Sequence, residues 1–261
     1  MTLSVFEQAT AHAAYIRLGS IRKAGALLGY SPNTIKKYVL QEYTVVHEQV
    51  RVTKVQSTDQ RLIGLYVGLW MGDGTQYRDG HMYTVKICSN KYNKALNMFI
   101  HDSLVKLFGV NVHVLEEANN GRCYIKVHSR FVFEFINEYC VWEENKTHSV
   151  RLKHSVQKYS KEFREGCFLG LMLSDGHIKK AFAFNVTSTR LVKNMIQLLE
   201  LMNIPSKVYV QKRVHLGWRD LHCLRILKRD IVQALQVLDS CLQQLGYKEG
   251  FLILKNEPAV I

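Results

Sequence analysis

The apolar positions recur with periods that change along the chain, and each period points to an element. Residues 4–17 carry apolar side chains at helical spacing, and IRKAGALLG follows with Ser20 placed to cap it and Gly29 to end it in a left-handed turn. After two turn residues, Ser31 stands as an N-cap and Pro32 at the first helical position of PNTIKKYVL. Ile35 and Val39 fall four apart on one face of this third helix, while Asn33, Thr34, Lys36 and Lys37 point elsewhere. Three short helices of this kind form either an ordinary packing unit or a helix-turn-helix. The polar and basic residues at the start of the last helix favour the second, because base edges and phosphates require such groups. A small all-α helix-turn-helix domain is therefore expected over 1–42. YTVVHEQVRVTKVQST (43–58) is rich in β-branched residues with little core and reads as a linker.

Beyond residue 58 the pattern repeats. LIGLYVGLWMGDG (62–74) aligns with EFREGCFLGLMLSDG (162–176) so that Asp73 meets Asp175 at an offset of 102. At that offset Gly64, Gly68 and Gly72 fall on Gly166, Gly170 and Ser174. Small residues every four positions make a smooth stripe on a helix, and two such stripes let two backbones approach closely. The Asp-Gly pair is expected to end each helix, with glycine supplying the turn.

Similar elements follow each copy. The first is read as strand 82–88, helix 91–108, strands 111–116 and 122–128, and helix 130–140. The second is read as strand 181–187, helix 189–203, strands 206–213 and 219–227, and helix 229–240. Short strands near 75–79 and 177–180 complete two four-stranded sheets. The expected fold is α+β, with two αββαββα half-domains over 59–158 and 159–261.

Alternation along the strands assigns their faces. Val85, Ile87, Val112, Val114, Ile125, Val127, Phe182, Phe184, Val186, Val208, Val210, Leu224 and Ile226 are expected under the helices. The opposite face carries Thr84, Lys86, Tyr124, Lys126, His128, Asn185, Thr187, Lys207, Tyr209, Gln211, Arg213 and Arg225. Acids are nearly absent from it, and its residue types suit phosphate and base-edge contacts.

Charge gives that face a partner. The 261 residues hold 35 Lys+Arg against 22 Asp+Glu, a net +13, and such a surplus favours a polyanion, nucleic acid before an anionic membrane. A hydrophobic content of 47% excludes a disordered chain. The longest uncharged apolar stretch, Leu62 to Gly72, is too short to span a bilayer, and Glu7 interrupts any secretion signal. Six scattered cysteines without ligand spacing indicate reduced thiols and an intracellular setting. No membrane association is expected.

YVGLWMGDG (66–74) and FLGLMLSDG (168–176), each followed by matching elements, resemble the LAGLIDADG homing endonucleases in their single-chain, two-motif form. The resemblance covers about residues 59–256. It implies two parallel motif helices at the half-domain interface and a DNA-binding β-saddle. It also implies Asp73 and Asp175 at the scissile phosphates, holding Mg²⁺, or Mn²⁺ in its place, together with Gly72 and Ser174. At the earlier acidic position of the motif this chain has Met71 and Leu173. The family's basic residue after each half-domain's last helix maps onto KTHSVRLK (146–153) and KEGFLILK (248–255), which again lie 102 apart. Lys146 and Lys248 are the first candidates for phosphate-charge stabilisation, Lys153 and Lys255 the second. Water-ordering residues at the end of the second strand would correspond to Ser89 and Ser188.

The implied activity is divalent-metal-dependent cleavage of both strands of a long asymmetric double-stranded DNA site by a monomer without an obligate protein partner. The alternative is a non-cleaving regulator or an intron RNA maturase on the same fold.

Overall fold

The computed structural model describes residues 5–39, 53–117, 120–178 and 181–255. Most of the expected linker, and Lys37 beyond its backbone, lie outside the described residues. Two compact units result, Met1–Arg51 and Val52–Ile261.

The first unit packs α1 (Val5–Leu18), α2 (Ile21–Leu28) and α3 (Pro32–Val39) around Ala11, Ala14, Ala24 and Ile35. Its turns follow the sequence signals. Ser20 Oγ accepts from Lys23 N, Gly29 adopts φ 72° and donates its N–H to Gly25 O, and Ser31 Oγ accepts from Thr34 N at 3.1 Å. Gly25 lets the α2–α3 turn close in, since a Cβ there would lie 2.7 Å from Tyr30 O. Tyr30 Oη donates to Glu7 Oε1 at 2.7 Å, tying the turn to α1. Asn33 and Lys36 are exposed and Thr34 is half-buried.

The second unit is built from two similar halves. The first runs α4 (Gln60–Asp73), β1 (Gly74–Asp79), β2 (Met82–Asn90), α5 (Lys94–Phe108), β3 (Val112–Glu116), β4 (Arg122–His128) and α6 (Arg130–Tyr139). A small hairpin follows, in which β5 (Cys140–Val141) and β6 (Arg151–Leu152) enclose α7 (Lys146–Ser149). The second half runs α8 (Lys161–Ser174), β7 (Gly176–His177), β8 (Ala183–Val186), α9 (Thr189–Leu201), β9 (Ser206–Gln211), β10 (Leu221–Ile226), α10 (Ile231–Gln244) and α11 (Phe251–Lys255). Both sheets are antiparallel with matching orders, β1-β2-β4-β3 and β7-β8-β10-β9. The architecture is α+β, and one hydrophobic core runs through both halves.

The glycine stripes explain how the halves join. A Cβ on Gly64 would lie 2.1 Å from Phe163 O, one on Gly68 2.3 Å from Cys167 O, and one on Gly72 2.0 Å from Ser174 Oγ. Gly166 and Gly170 meet Arg61 O and Leu65 O just as closely, at 2.0 and 2.4 Å. Contacts advance along both helices together, so α4 and α8 run parallel, backbone against backbone. At their N-terminal ends Arg61 Nη2 pairs with Glu165 Oε2 at 3.2 Å.

Three sequence expectations need correction. Gly74 ends α4 in an extended conformation, φ −80° and ψ 151°, and Gly176 begins a strand, so neither glycine supplies a left-handed turn. Glycine is required there because a Cβ would lie 2.5 Å from the Trp70 or Met172 carbonyl oxygen. Secondly, Val114, Val208 and Val210 are exposed and Val112 is only partly buried, because β3 and β9 are edge strands lying beyond the buried centre of each sheet. Thirdly, the reading of helix 130–140 stops short of the β5–β6 hairpin that carries α7.

Candidate active site

The parallel glycine stripes deliver Asp73 and Asp175 to one place, at the C-terminal ends of α4 and α8. Asp175 Oδ2 lies 3.0 Å from where a Gly72 Cβ would stand. Burial is the largest influence on both carboxyls and raises both above the usual range. For Asp175 the neighbouring Asp73 adds to it, and the group is pushed up to about 7. Lys146 and Lys255 oppose both shifts.

Those lysines cap the two helices. Lys146, from α7, donates to Trp70 O at 2.7 Å, to Gly72 O at 3.0 Å and to Gly74 O, and its Nζ lies 4.8 Å from the centre of the Trp70 ring. Lys255, at the end of α11, donates to Leu173 O at 2.7 Å and to Ser174 O at 3.1 Å. Both ammonium groups sit where a helix end concentrates unpaired carbonyls and partial negative charge. Burial pulls Lys146 down to about 8 although both aspartates hold it up. Gly72 and Ser174, expected among the metal-site residues, have backbone oxygens that accept from Lys146 and Lys255.

Two clefts flank this centre. One, of about 590 Å³, is lined by Asp73, Asp175, Lys146, Asn145, Asn185 and Thr187 among others. The other, of about 840 Å³, is lined by Asp73, Lys255, Ser174, Ser89, Asn90 and Arg122 among others. Each combines a helix-end lysine of one half with the strand end of the other half.

The expected site residues divide accordingly. Asp73, Asp175, Lys146, Gly72 and Ser174 come together, and Lys255 joins them. Lys248 is exposed and lines neither cleft. Lys153 is exposed and donates to Asn137 O at 3.1 Å. The equal spacing misleads because Lys146 belongs to a hairpin inside the chain and Lys255 to a separate short helix. Ser89 lines the second cleft, whereas Ser188 is buried as the N-cap of α9 and donates to Val150 O.

On the sheets, register places Lys86 opposite Thr75, Lys126 and then His113, and Asn185 opposite Cys223 and then Tyr209. Tyr124, Lys126 and His128 are partly exposed, while Lys207, Tyr209, Gln211 and Arg225 are exposed. Lys86 Nζ lies 4.6 and 5.4 Å from the Tyr77 and Tyr124 ring centres, and the Arg225 guanidinium lies 5.3 Å from Tyr209. Thr84 is an exception: it is buried, with its hydroxyl 3.0 Å from His128 Nδ1. Thr187 pairs with His148 Nδ1 and donates to Thr147 O, and Arg213 lies just past β9. Thr75, Tyr77, His113 and Arg122 share the polar face but escaped the sequence reading; alternation back from Tyr124 reaches Arg122 and alternation between Val112 and Val114 reaches His113, whereas Thr75 and Tyr77 join the face through the register of β1 on β2.

The donor set fits a hard divalent cation. Among the described residues no cluster of three or more His, Cys, Asp or Glu side chains could hold a metal. Two desolvated carboxylates remain, as suits Mg²⁺, which commonly takes one or two carboxylates and completes its shell with water and phosphate oxygens.

Neither protein-family models nor curated proteins match the sequence. Solved structures match in fold. A variant of I-DmoI in complex with its target DNA, in the presence of Mn, gives a TM-score of 0.54 at 14% identity, covering 70% of this chain and 97% of that one. I-DmoI in complex with DNA and Ca gives 0.51 at 14% identity over 70% and 92%. The homing endonuclease I-WcaI bound to its DNA recognition sequence gives 0.50 at 14% identity over 83% and 92%. At these identities the likeness establishes the fold, the two-half α+β architecture of LAGLIDADG homing endonucleases.

Proposed function

We propose that this chain is a divalent-metal-dependent endonuclease that cuts both strands of a long, asymmetric DNA site. The observation that carries the reading is the meeting of Asp73 and Asp175 at two parallel helix ends, beside clefts that each hold one capping lysine. A pair of carboxylates with only structural work to do would not be buried together, since each raises the cost of ionising its neighbour. The resemblance in sequence and the likeness in fold to DNA-bound homing endonucleases support the same reading.

Asp73 and Asp175 would hold the cation, most simply Mg²⁺, which when bound would lower the pKa of water and offset charge developing on phosphorus. Lys146 has all three N–H groups directed to carbonyls, so it acts by fixing the end of α4 and by its charge rather than by grasping a phosphate. Lys255 holds the end of α8 in the same way. The polar faces of the two sheets, carrying Lys86, Lys126, Lys207 and Arg225, would follow the DNA backbone, with Tyr124, Asn185, Tyr209 and Gln211 offered to base edges. The unequal residues of the two faces suit two unequal half-sites. In the N-terminal unit, Asn33, Thr34 and Lys36 at the start of α3 would make a further major-groove contact.

The test is cleavage of duplexes that the protein enriches from a randomised pool in Ca²⁺, followed by exchange into Mg²⁺. Cutting of both strands is expected, with Asp73→Asn reducing it by at least about a thousandfold while leaving binding intact. Tight binding with no strand breakage in Mg²⁺ or Mn²⁺ would instead identify a non-cleaving regulator or maturase.

A further inference from the structure

The two halves differ in the connection between their last two strands. In the first half β3 and β4 are joined by five residues, with Glu117, Asn120 and Gly121 among those described. In the second half, nine residues, 212–220, join β9 to β10. Residues 212–219 carry Lys212, Arg213 and Arg219 and no acid. At their centre two large apolar side chains face solvent, Leu216 at 52% exposure and Trp218 at 61%. Exposing an indole so fully forgoes a large burial energy, and such exposure inside a basic loop marks a contact surface.

The loop has a defined shape. Lys212 Nζ pairs with Asp220 Oδ2 at 2.6 Å and closes its base. Leu216 N and Trp218 N both donate to Arg213 O, at 2.9 and 3.3 Å, and Gly217 between them takes φ +68°, a conformation that favours glycine. The Arg213 guanidinium lies 5.8 Å from the Trp218 ring centre. The loop also leaves the sheet beside the candidate centre, because Leu221, the first residue of β10, lines the cleft that holds Asp73 and Asp175.

We infer that the β9–β10 loop is a DNA probe peculiar to the second half, in which Trp218 stacks on a base step next to the cleavage centre while Arg213 and Arg219 engage the adjoining phosphates. The inference rests on the DNA-cleaving function proposed above. Duplex DNA matches both properties of the loop: its phosphates answer the positive charge, and its base faces accept an aromatic or an apolar wedge where the stack opens. Because the first half has no counterpart, the contact would also fix which way round an asymmetric site is held.

The full chain is tested with duplexes enriched from a randomised pool in Ca²⁺, using labelled-duplex anisotropy for affinity and iodide quenching of tryptophan emission for contact. Of the three tryptophans, Trp70 is buried and Trp142 packs on it with ring centres 4.8 Å apart, so the Trp218→Phe variant supplies the background. DNA is expected to shield Trp218 from iodide, and Trp218→Ala to weaken binding by about tenfold while Trp218→Phe keeps most of the affinity. Unchanged affinity of Trp218→Ala together with undiminished quenching would overturn the inference. An equal loss in Trp218→Phe and Trp218→Ala would reject stacking. Failure to enrich any duplex would instead remove the DNA reading itself.

Discussion

At the scale of single residues the unusual feature is a pair of carboxyls that resist ionisation. Asp175 moves from an ordinary value of 3.8 to about 7, through burial first and Asp73 second. The folded chain therefore holds this proton more tightly than the unfolded chain does. Ionisation opposes folding, and stability present below pH 4 is lost as the pH rises through 7. Lys146 behaves in the opposite sense at higher pH. Its value falls from 10.5 to about 8, so the unfolded chain binds the extra proton between those values and stability recovers as the pH rises through them. In the presence of a chelator, the melting temperature is expected to fall between pH 5 and 8. Asp175→Asn should be more stable than the parent at pH 8 and should show a flatter profile. A parent and variant with parallel profiles would mean that Asp175 ionises freely. The aspartates were legible in the sequence because they recur at matched places. Lys255 was less so, since a repeat offset records spacing along the chain, whereas the two lysines reach their helix ends from elements that do not correspond.

At the scale of elements, what was most legible was what rests on local periodicity. The strand alternation around Val85–Ile87 and Phe182–Val186, the N-caps at Ser20 and Ser31, and the stripe Gly64–Gly68–Gly72 each carry their own signal. Exposure of Val114, Val208 and Val210 was not legible, because alternation assigns a face but not a place in the sheet, and edge positions follow from the long-range order β1-β2-β4-β3. The glycine stripe allows a direct test of how α4 and α8 meet. A Cβ on Gly68 or Gly170 would stand 2.3 or 2.4 Å from a carbonyl oxygen of the facing helix, and backbone cannot yield as a flexible side chain can. Gly68→Ala and Gly170→Ala are each expected to destabilise the chain by about 3 kcal/mol, at the upper end of ordinary overpacking. Gly250→Ala, where the nearest atom is a carboxylate oxygen at 3.3 Å, should cost far less. Urea denaturation of the three variants checks the order, and equal losses would mean that the glycines matter for chain flexibility rather than for the approach of the helices.

At the scale of the whole molecule, the chain divides its basic charge between two compact units with separate cores. Every residue of the candidate centre lies in Val52–Ile261, and the helices of the N-terminal unit contribute Arg17, Arg22, Lys23, Lys36 and Lys37 against Glu7. Phosphate neutralisation releases counterions, so each contact steepens the fall of affinity with salt by about 0.9 on logarithmic axes. A chain beginning at Val52 is expected to fold, because among the described residues its core begins at Val55 and the N-terminal helices pack around a separate core. It should bind enriched duplexes more weakly, with a salt slope shallower by roughly two to three, as the loss of two or three phosphate contacts requires. At protein concentrations that saturate the DNA, its cutting rate should equal that of the full chain, since Asp73, Asp175, Lys146 and Lys255 are all retained. Affinity and salt slope unchanged by the truncation would assign the N-terminal unit a partner other than DNA, and slower cutting at saturation would mean that the unit contributes to the reaction itself and not only to holding the site.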